Sequence, residues 1–231
     1  MKLVRAVGNF RLQRALSNTY VNTIVDVLLQ HQDTLMIVAD LLQTCVQKAS
    51  PELKGKIEGI HKLYRIADET GNLIIPNHIS RLIEALEKLY QQNNEIIEDQ
   101  RGAIVELLGR KLVCPRYDAR DFCFNSGRFV DEQSRDITLQ EVDVAALSDT
   151  RYQVEAYECK MRSNKLMNDD CTDLEYLVKA SEERGYRANV GVISFDNDEI
   201  VRRKLKRLYS PDCVKVYGLE SMKKLRESPF E

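Results

Sequence analysis

Residues 141–160, EVDVAALSDTRYQVEAYECK, constrain this chain more than any other stretch. They hold two apolar, β-prone runs, 142–147 and 152–161, joined by the turn formers Ser148, Asp149 and Thr150. Buried strands disfavour charge, yet each run carries acidic residues. Alternate side chains of a strand share a face, so Glu141 and Asp143 point together from the first run, as do Glu158 and Lys160 from the second. Pairing the strands brings Asp143 beside Glu158 and Lys160. Two carboxylates held close repel unless a proton or cation lies between them, and a divalent ion with oxygen ligands answers that need. Glu155 points to the opposite face from Glu158 and reads as structural. The competing reading is a surface hairpin with an exposed Glu158–Lys160 pair. Val142, Val144, Val154, Ala156 and Cys159 argue against it, because they imply strands buried on at least one face.

The 231 residues leave room for one large domain or two small ones, and 43% hydrophobic against 30% charged residues excludes a disordered or fibrous chain. No apolar run approaches the roughly 20 residues of a membrane span, and MKLVRAVGNF lacks the apolar core of a signal peptide, so a cytoplasmic location is expected. The cysteines at 45, 114, 123, 159, 171 and 213 form no CxxC pair and read as reduced thiols rather than a disulfide frame. Zinc held by Cys114 and Cys123 is a weaker option, since the spacing is not that of a common zinc knuckle and no histidine lies nearby. A formal net charge of −2 gives no whole-chain basic signature, but residues 199–231 carry nine Lys or Arg against five Asp or Glu. The run RRKLKR at 202–207 taken alone is a solvated helix face.

From 10 to 48 apolar residues recur at spacings of three and four without Pro or Gly, which predicts one long helix or two with a break near His31. Ser50 and Pro51 end that stretch, and 52–68 is a second helix. Thr70, Gly71 and Asn72 make a turn, 73–75 is extended, and Asn77 caps a further helix. The polar run 91–94 is the domain boundary, dividing a helical domain, 1–93, from a second domain, 94–231. Another helix follows, with Gly109 near its end and Glu106 inside its apolar run, placed to pair with Arg110. The segment 116–136 reads as loop with one short strand. Beyond the hairpin come a helix at 172–184, a covered strand at 188–195, a basic helix at 199–209, a strand at 214–217 and a short helix at 220–226. Strands alternating with helices make this half an α/β sheet.

The order is therefore helix with an internal Glu, strand with Asp, strand ending in Glu-x-Lys, helix, buried strand, helix, strand. Over 94–226 it resembles the PD-(D/E)xK nuclease superfamily, the restriction-endonuclease-like fold of many restriction enzymes, Holliday-junction resolvases and defence-system nucleases. The matching residues are Asp143 in EVDVAAL, Glu158, Cys159 and Lys160 in YECK, and Glu106 in GAIVELLG. Val142 stands where the superfamily has its proline. The resemblance implies a mixed central sheet flanked by helices, and Mg²⁺, or Mn²⁺ in its place, held by Asp143, Glu158, the Cys159 carbonyl and Glu106. Glu141 is the rival ligand on the first strand. Lys160 would orient the attacking water or stabilise the transition state, as a positioning cation more than a base.

A metal-dependent endonuclease is thus expected, acting on DNA in preference to RNA, in defence or DNA repair. Arg162 and Lys165 beside the motif are the leading phosphate contacts, and Arg202, Arg203, Lys206 and Arg207 of the basic helix are further ones. The N-terminal helices are expected to dimerise or dock a partner. A nuclease-like module that binds nucleic acid or protein without cutting is the alternative from another class, and a purely structural subunit a third.

Overall fold

The computed structural model describes residues 1–6, 10–68, 71–138, 140–208 and 211–230. Two compact units divide the chain, one formed by Phe10–Ile104 and the other by Met1–Asn9 with Val105–Glu231. The chain opens with a strand the sequence did not announce, β1 (Lys2–Arg5), which pairs antiparallel with a strand more than a hundred residues later. Residues before Phe10 thus belong to the sheet unit, and the units divide inside a helix rather than at 91–94.

In the helical unit the stretch 10–48 forms three helices, α1 (Phe10–Leu16), α2 (Thr19–Gln30) and α3 (Leu35–Thr44). Asn18 makes the first break: its side-chain oxygen accepts from the amides of Tyr20 and Val21, satisfying donors that a helix start leaves open. The second break falls at His31, followed by a 3₁₀ turn over Gln32–Thr34. Next comes α4 (Leu53–Leu63), shorter than the 52–68 periodicity suggested because Ile66–Ala67 (β2) turns back onto Leu73–Ile74 (β3). Gly71 takes the left-handed conformation in that turn, with φ 83°, while Thr70 lies outside the described residues. Then α5 (Asn77–Tyr90) and the first half of α6 (Asn94–Val113) complete the unit. Its core is aliphatic, with Ile24, Leu41, Leu42, Leu82, Leu86 and Leu89 buried.

The sheet unit is α/β. Besides β1 its strands are β4 (Phe122–Val130), β5 (Val142–Ser148), β6 (Gln153–Lys160), β7 (Arg187–Ser194) and β8 (Val214–Tyr217), in the order β1-β4-β5-β6-β7-β8. The pairs from β1 to β6 are antiparallel, and β6-β7 and β7-β8 are parallel, so the sheet is mixed. Two helices, α7 (Asn168–Glu182) and α8 (Asp198–Arg207), pack on one face against Val154, Ala156, Val190 and Val192. Gly185, with φ 76°, lies beyond α7. Tyr209, counted into the basic helix by its sequence, lies outside the described residues, and the last helix is a 3₁₀ turn over Met222–Arg226. Among the described residues no helix is long and apolar enough to cross a membrane.

Two sequence expectations change here. First, β4 occupies nine residues of the stretch read as loop, because Asn125, Ser126 and Gly127 interrupt its apolar alternation. Second, Cys114 and Cys123 are bonded to each other, neither reduced nor free to hold zinc, with Cα atoms 5.7 Å apart; the 3₁₀ turn Cys114–Arg116 lets the chain double back from α6 into β4. Closing so short a loop restricts the unfolded chain, and reduction is expected to lower stability by about 2–3 kcal/mol. Denaturant midpoints with and without a reductant check this, and equal midpoints would contradict it.

Gly109 stands near the end of its helix, as expected, four residues before Val113. It lies where α6 crosses the other face of the sheet, and a Cβ there would meet Ile193 Cδ1 at 2.8 Å and Val144 Cγ2 at 3.4 Å. The glycine accepts a helix-propensity cost to bring α6 close to the strands. Gly109→Val is expected to cost about 2 kcal/mol through overpacking, measured by denaturant unfolding; an unchanged midpoint would show the contact to be compliant.

Candidate active site

The β5-β6 ladder runs from the turn end, Ser148 opposite Gln153, as far as Val144 opposite Tyr157. There the side chain of Asp143 enters the pairing. The Cys159 amide donates to Asp143 Oδ2 at 2.7 Å, while the Asp143 carbonyl accepts from Asn125 Nδ2 at 3.3 Å. Asn125 Nδ2 also donates to the Glu106 carbonyl at 2.9 Å, tying α6 to the same point of the sheet. A carboxylate drawn between two strands by a backbone N–H has little rotational freedom.

Glu158 and Lys160 share one face at the end of β6. Lys160 Nζ donates to Glu158 Oε2 at 2.8 Å and stands 3.6 Å from Asp143 Oδ2 and 3.5 Å from Asp170 Oδ1. Burial alone would lower the lysine's pKa, but Asp143 and Glu158 outweigh it and raise it, so the ammonium stays charged. Glu158 is nearly buried, and its carboxyl is pushed well above the ordinary range by desolvation and then by Asp143.

Glu106 reaches the cluster from α6. Burial first, and Asp143 second, push its carboxyl up to about 9, with Lys160 pulling the other way. Its Oε2 is buried with no hydrogen-bond partner. No ion pair joins it to Arg110 four residues on, contrary to the local helix reading; Arg110 is itself partly buried near Arg5, and its pKa is lowered. A buried carboxylate oxygen without a partner is costly and rare, and it marks a place where a cation or proton is wanted. Among the described residues no three His, Cys, Asp or Glu side chains are grouped closely enough to hold an ion as they stand. The cation among Asp143, Glu158 and Asp170 is Lys160 itself.

The other candidates fall elsewhere. Glu141 is exposed before β5 begins, outside the cluster. Glu155 faces the other side of β6, held by Arg116 and the hydroxyls of Tyr117 and Tyr157. Arg162 and Lys165 are exposed in the segment leaving β6, where Ser163 anchors the chain through its N–H and hydroxyl to Asp196 Oδ2. Arg202 and Arg203 are exposed on α8 and stand 3.5 Å from Asp198 and Glu199, pairs of little energetic weight. Lys206 and Arg207 are exposed further along that helix, which returns from the Lys160 end of the sheet toward the start of β8.

Sequence reasoning missed Asp170, because α7 was expected to start at Thr172 and actually starts at Asn168, with Asp170 accepting from the Met167 amide. It missed Asn125 because that stretch read as loop. The acidic pair Asp169 and Asp170 ahead of an apolar helix was the available signal for an earlier start. No protein-family model matches the chain, and no curated protein matches it in sequence.

Proposed function

We propose that the chain is a metal-dependent nuclease of the PD-(D/E)xK kind, hydrolysing phosphodiester bonds in nucleic acid, with DNA ahead of RNA. On this reading the sheet unit is a restriction-endonuclease-like domain, and the helices before it serve dimerisation or docking of a partner. The observation that carries the proposal is Glu106 Oε2, buried without a partner and electrostatically linked to Asp143, Glu158 and Lys160.

The donors suit Mg²⁺, a hard cation that takes carboxylate and carbonyl oxygens and keeps several waters. Glu106, Asp143, Glu158 and the Cys159 carbonyl would hold it, with Mn²⁺ able to substitute. When bound, the ion supplies Lewis acidity at the scissile phosphate. The chain's own groups do the rest. Asp143, fixed by the Cys159 amide, presents its charge in one orientation. Lys160, kept cationic by its neighbours, orients the attacking water or opposes the charge that develops on phosphorus. Asp170 gives that ammonium a partner outside the ligand set. Arg162 and Lys165 are the residues to receive flanking phosphates.

One observation favours a second reading. Lys160 stands among Asp143, Glu158 and Asp170, so the acidic cluster carries a cation of its own, as a module that binds nucleic acid or protein without cutting would also allow. Calorimetry with Mn²⁺ and cleavage assays on single-stranded, double-stranded and branched DNA, and on RNA, separate the two. Ion binding with Mg²⁺-dependent cleavage is expected; no ion binding and no cleavage would favour the module.

A further inference from the structure

At the other end of β6 lies a cavity of about 980 Å³. It opens where β6 and β7 start, at the rung of Gln153 and Arg187, whereas Lys160 sits on the rung with Ser194. Seven residues of strand separate the two places, roughly 23 Å. Among the described residues the cavity is lined by four arginines, 116, 151, 187 and 226, against two carboxylates, Glu155 and Glu227, so its wall is basic in a chain that is slightly acidic overall.

Two of these arginines are fixed. Arg116, with 11% of its side chain exposed, donates to Glu155 Oε2 at 2.7 Å and to the Glu227 carbonyl at 2.8 Å. Arg151 donates to Asp121 Oδ2 at 2.6 Å and to the Arg116 carbonyl at 3.0 Å, and lies over the Tyr117 ring. They form a rigid floor. Arg187 differs. It is exposed, donates to the Phe230 carbonyl at 3.1 Å and rests on the Phe230 ring, with its guanidinium carbon 5.3 Å from the centroid. A guanidinium carries more N–H donors than Arg187 uses there, in a planar fork that matches phosphate oxygens.

The wall thus joins a cation with donors to spare, aromatic faces already stacked beneath guanidinium groups, and a volume in the range of small-molecule sites. We infer that this cavity is a binding site for a nucleoside phosphate, with Arg187 taking the phosphate and the Phe230 ring stacking on the base. Acidic ligands without a ring use only half of these features, and neutral aromatics use only the other half. The inference does not rest on the nuclease reading, because no residue of the Asp143, Glu158 and Lys160 cluster lines the cavity.

The test is calorimetry on the full chain in EDTA, with adenosine 5′-monophosphate, inorganic phosphate and adenosine as separate titrants. The monophosphate is expected to bind one to one, more tightly than either fragment. Arg187→Glu and Phe230→Ala are each expected to weaken it by about tenfold or more, the loss of a charge-assisted contact or a stacked ring. Asp143→Asn should leave it unchanged. Binding that survives Arg187→Glu but is lost in Asp143→Asn would place the ligand at the acidic cluster and overturn the inference. So would equal affinity for inorganic phosphate, or no binding by the native chain. Phe230→Ala removes an aromatic ring without adding charge, so it decides the matter if Arg187→Glu fails to fold.

Discussion

Asp143→Asn is expected to reduce Mg²⁺-dependent cleavage of DNA by about 10³-fold while leaving the fold close to native. The reason lies in the two jobs of this side chain. Its Oδ2 accepts from the Cys159 amide, and an asparagine oxygen can accept the same bond, so the place where β5 and β6 part is preserved. The negative charge is lost, and with it one ligand of the proposed ion and one of the groups keeping Lys160 charged. Lys160→Ala should cost as much activity, but with a structural penalty, since Glu158, Asp143 and Asp170 would then face one another without a cation. Cleavage rates with labelled DNA and circular dichroism of each variant check both expectations. Asp143→Asn activity within tenfold of native would remove this residue from the proposed chemistry.

Glu106→Gln is expected to do the opposite to stability. The Glu106 carboxyl is pushed from 4.5 up to about 9, so the folded state holds its proton more tightly than the unfolded chain does. A raised acid pKa favours the fold below the unfolded value, and that contribution is lost as pH rises through the window from 4.5 to about 9. Near neutral pH the folded state keeps this carboxyl protonated while the unfolded chain ionises, which opposes folding by an amount on the order of 3 kcal/mol. Glutamine removes that opposition, so the variant should melt several degrees higher than native in EDTA at pH 7.5 and lose part of the decline toward pH 9. Added Mn²⁺ should stabilise the native protein and leave the variant almost unmoved, because a ligand that binds only the folded state raises its stability. Identical melting curves in EDTA across this pH range would show that the orphaned oxygen of Glu106 carries no penalty.

Both expectations rest on one conflict, between burial and charge at the end of the sheet. Charge is held at a sheet end where burial penalises it, and among the described residues the cation set against Asp143, Glu158 and Asp170 is Lys160. That balance accounts for the raised carboxyls of Glu106 and Glu158 and for the tightly held ammonium of Lys160.

How far the sequence reached can be seen residue by residue. Local periodicity located β5, β6, β7 and β8 to within about a residue or two, because apolar alternation and turn residues are properties of neighbours in the chain. The same logic put Asp143, Glu158 and Lys160 on one side of a hairpin, since the strand period of two is fixed by backbone geometry. It could not find β1, four residues long, whose only support is β4 across the sheet. Nor could it find the Cys114–Cys123 bond, which depends on the chain turning back after α6.

What the sequence determined alone was the set of charged residues and the face each would take along its own strand. What the tertiary structure decided was their company. Gly109 lets α6 lie close enough on the sheet for Glu106 to share the field of Asp143 and Glu158, and an earlier helix start brings Asp170 to Lys160. Hydrogen bonds and burial between residues tens of positions apart depend on packing distance. Packing distance follows from the shape of the whole sheet unit, and no window of sequence encodes it.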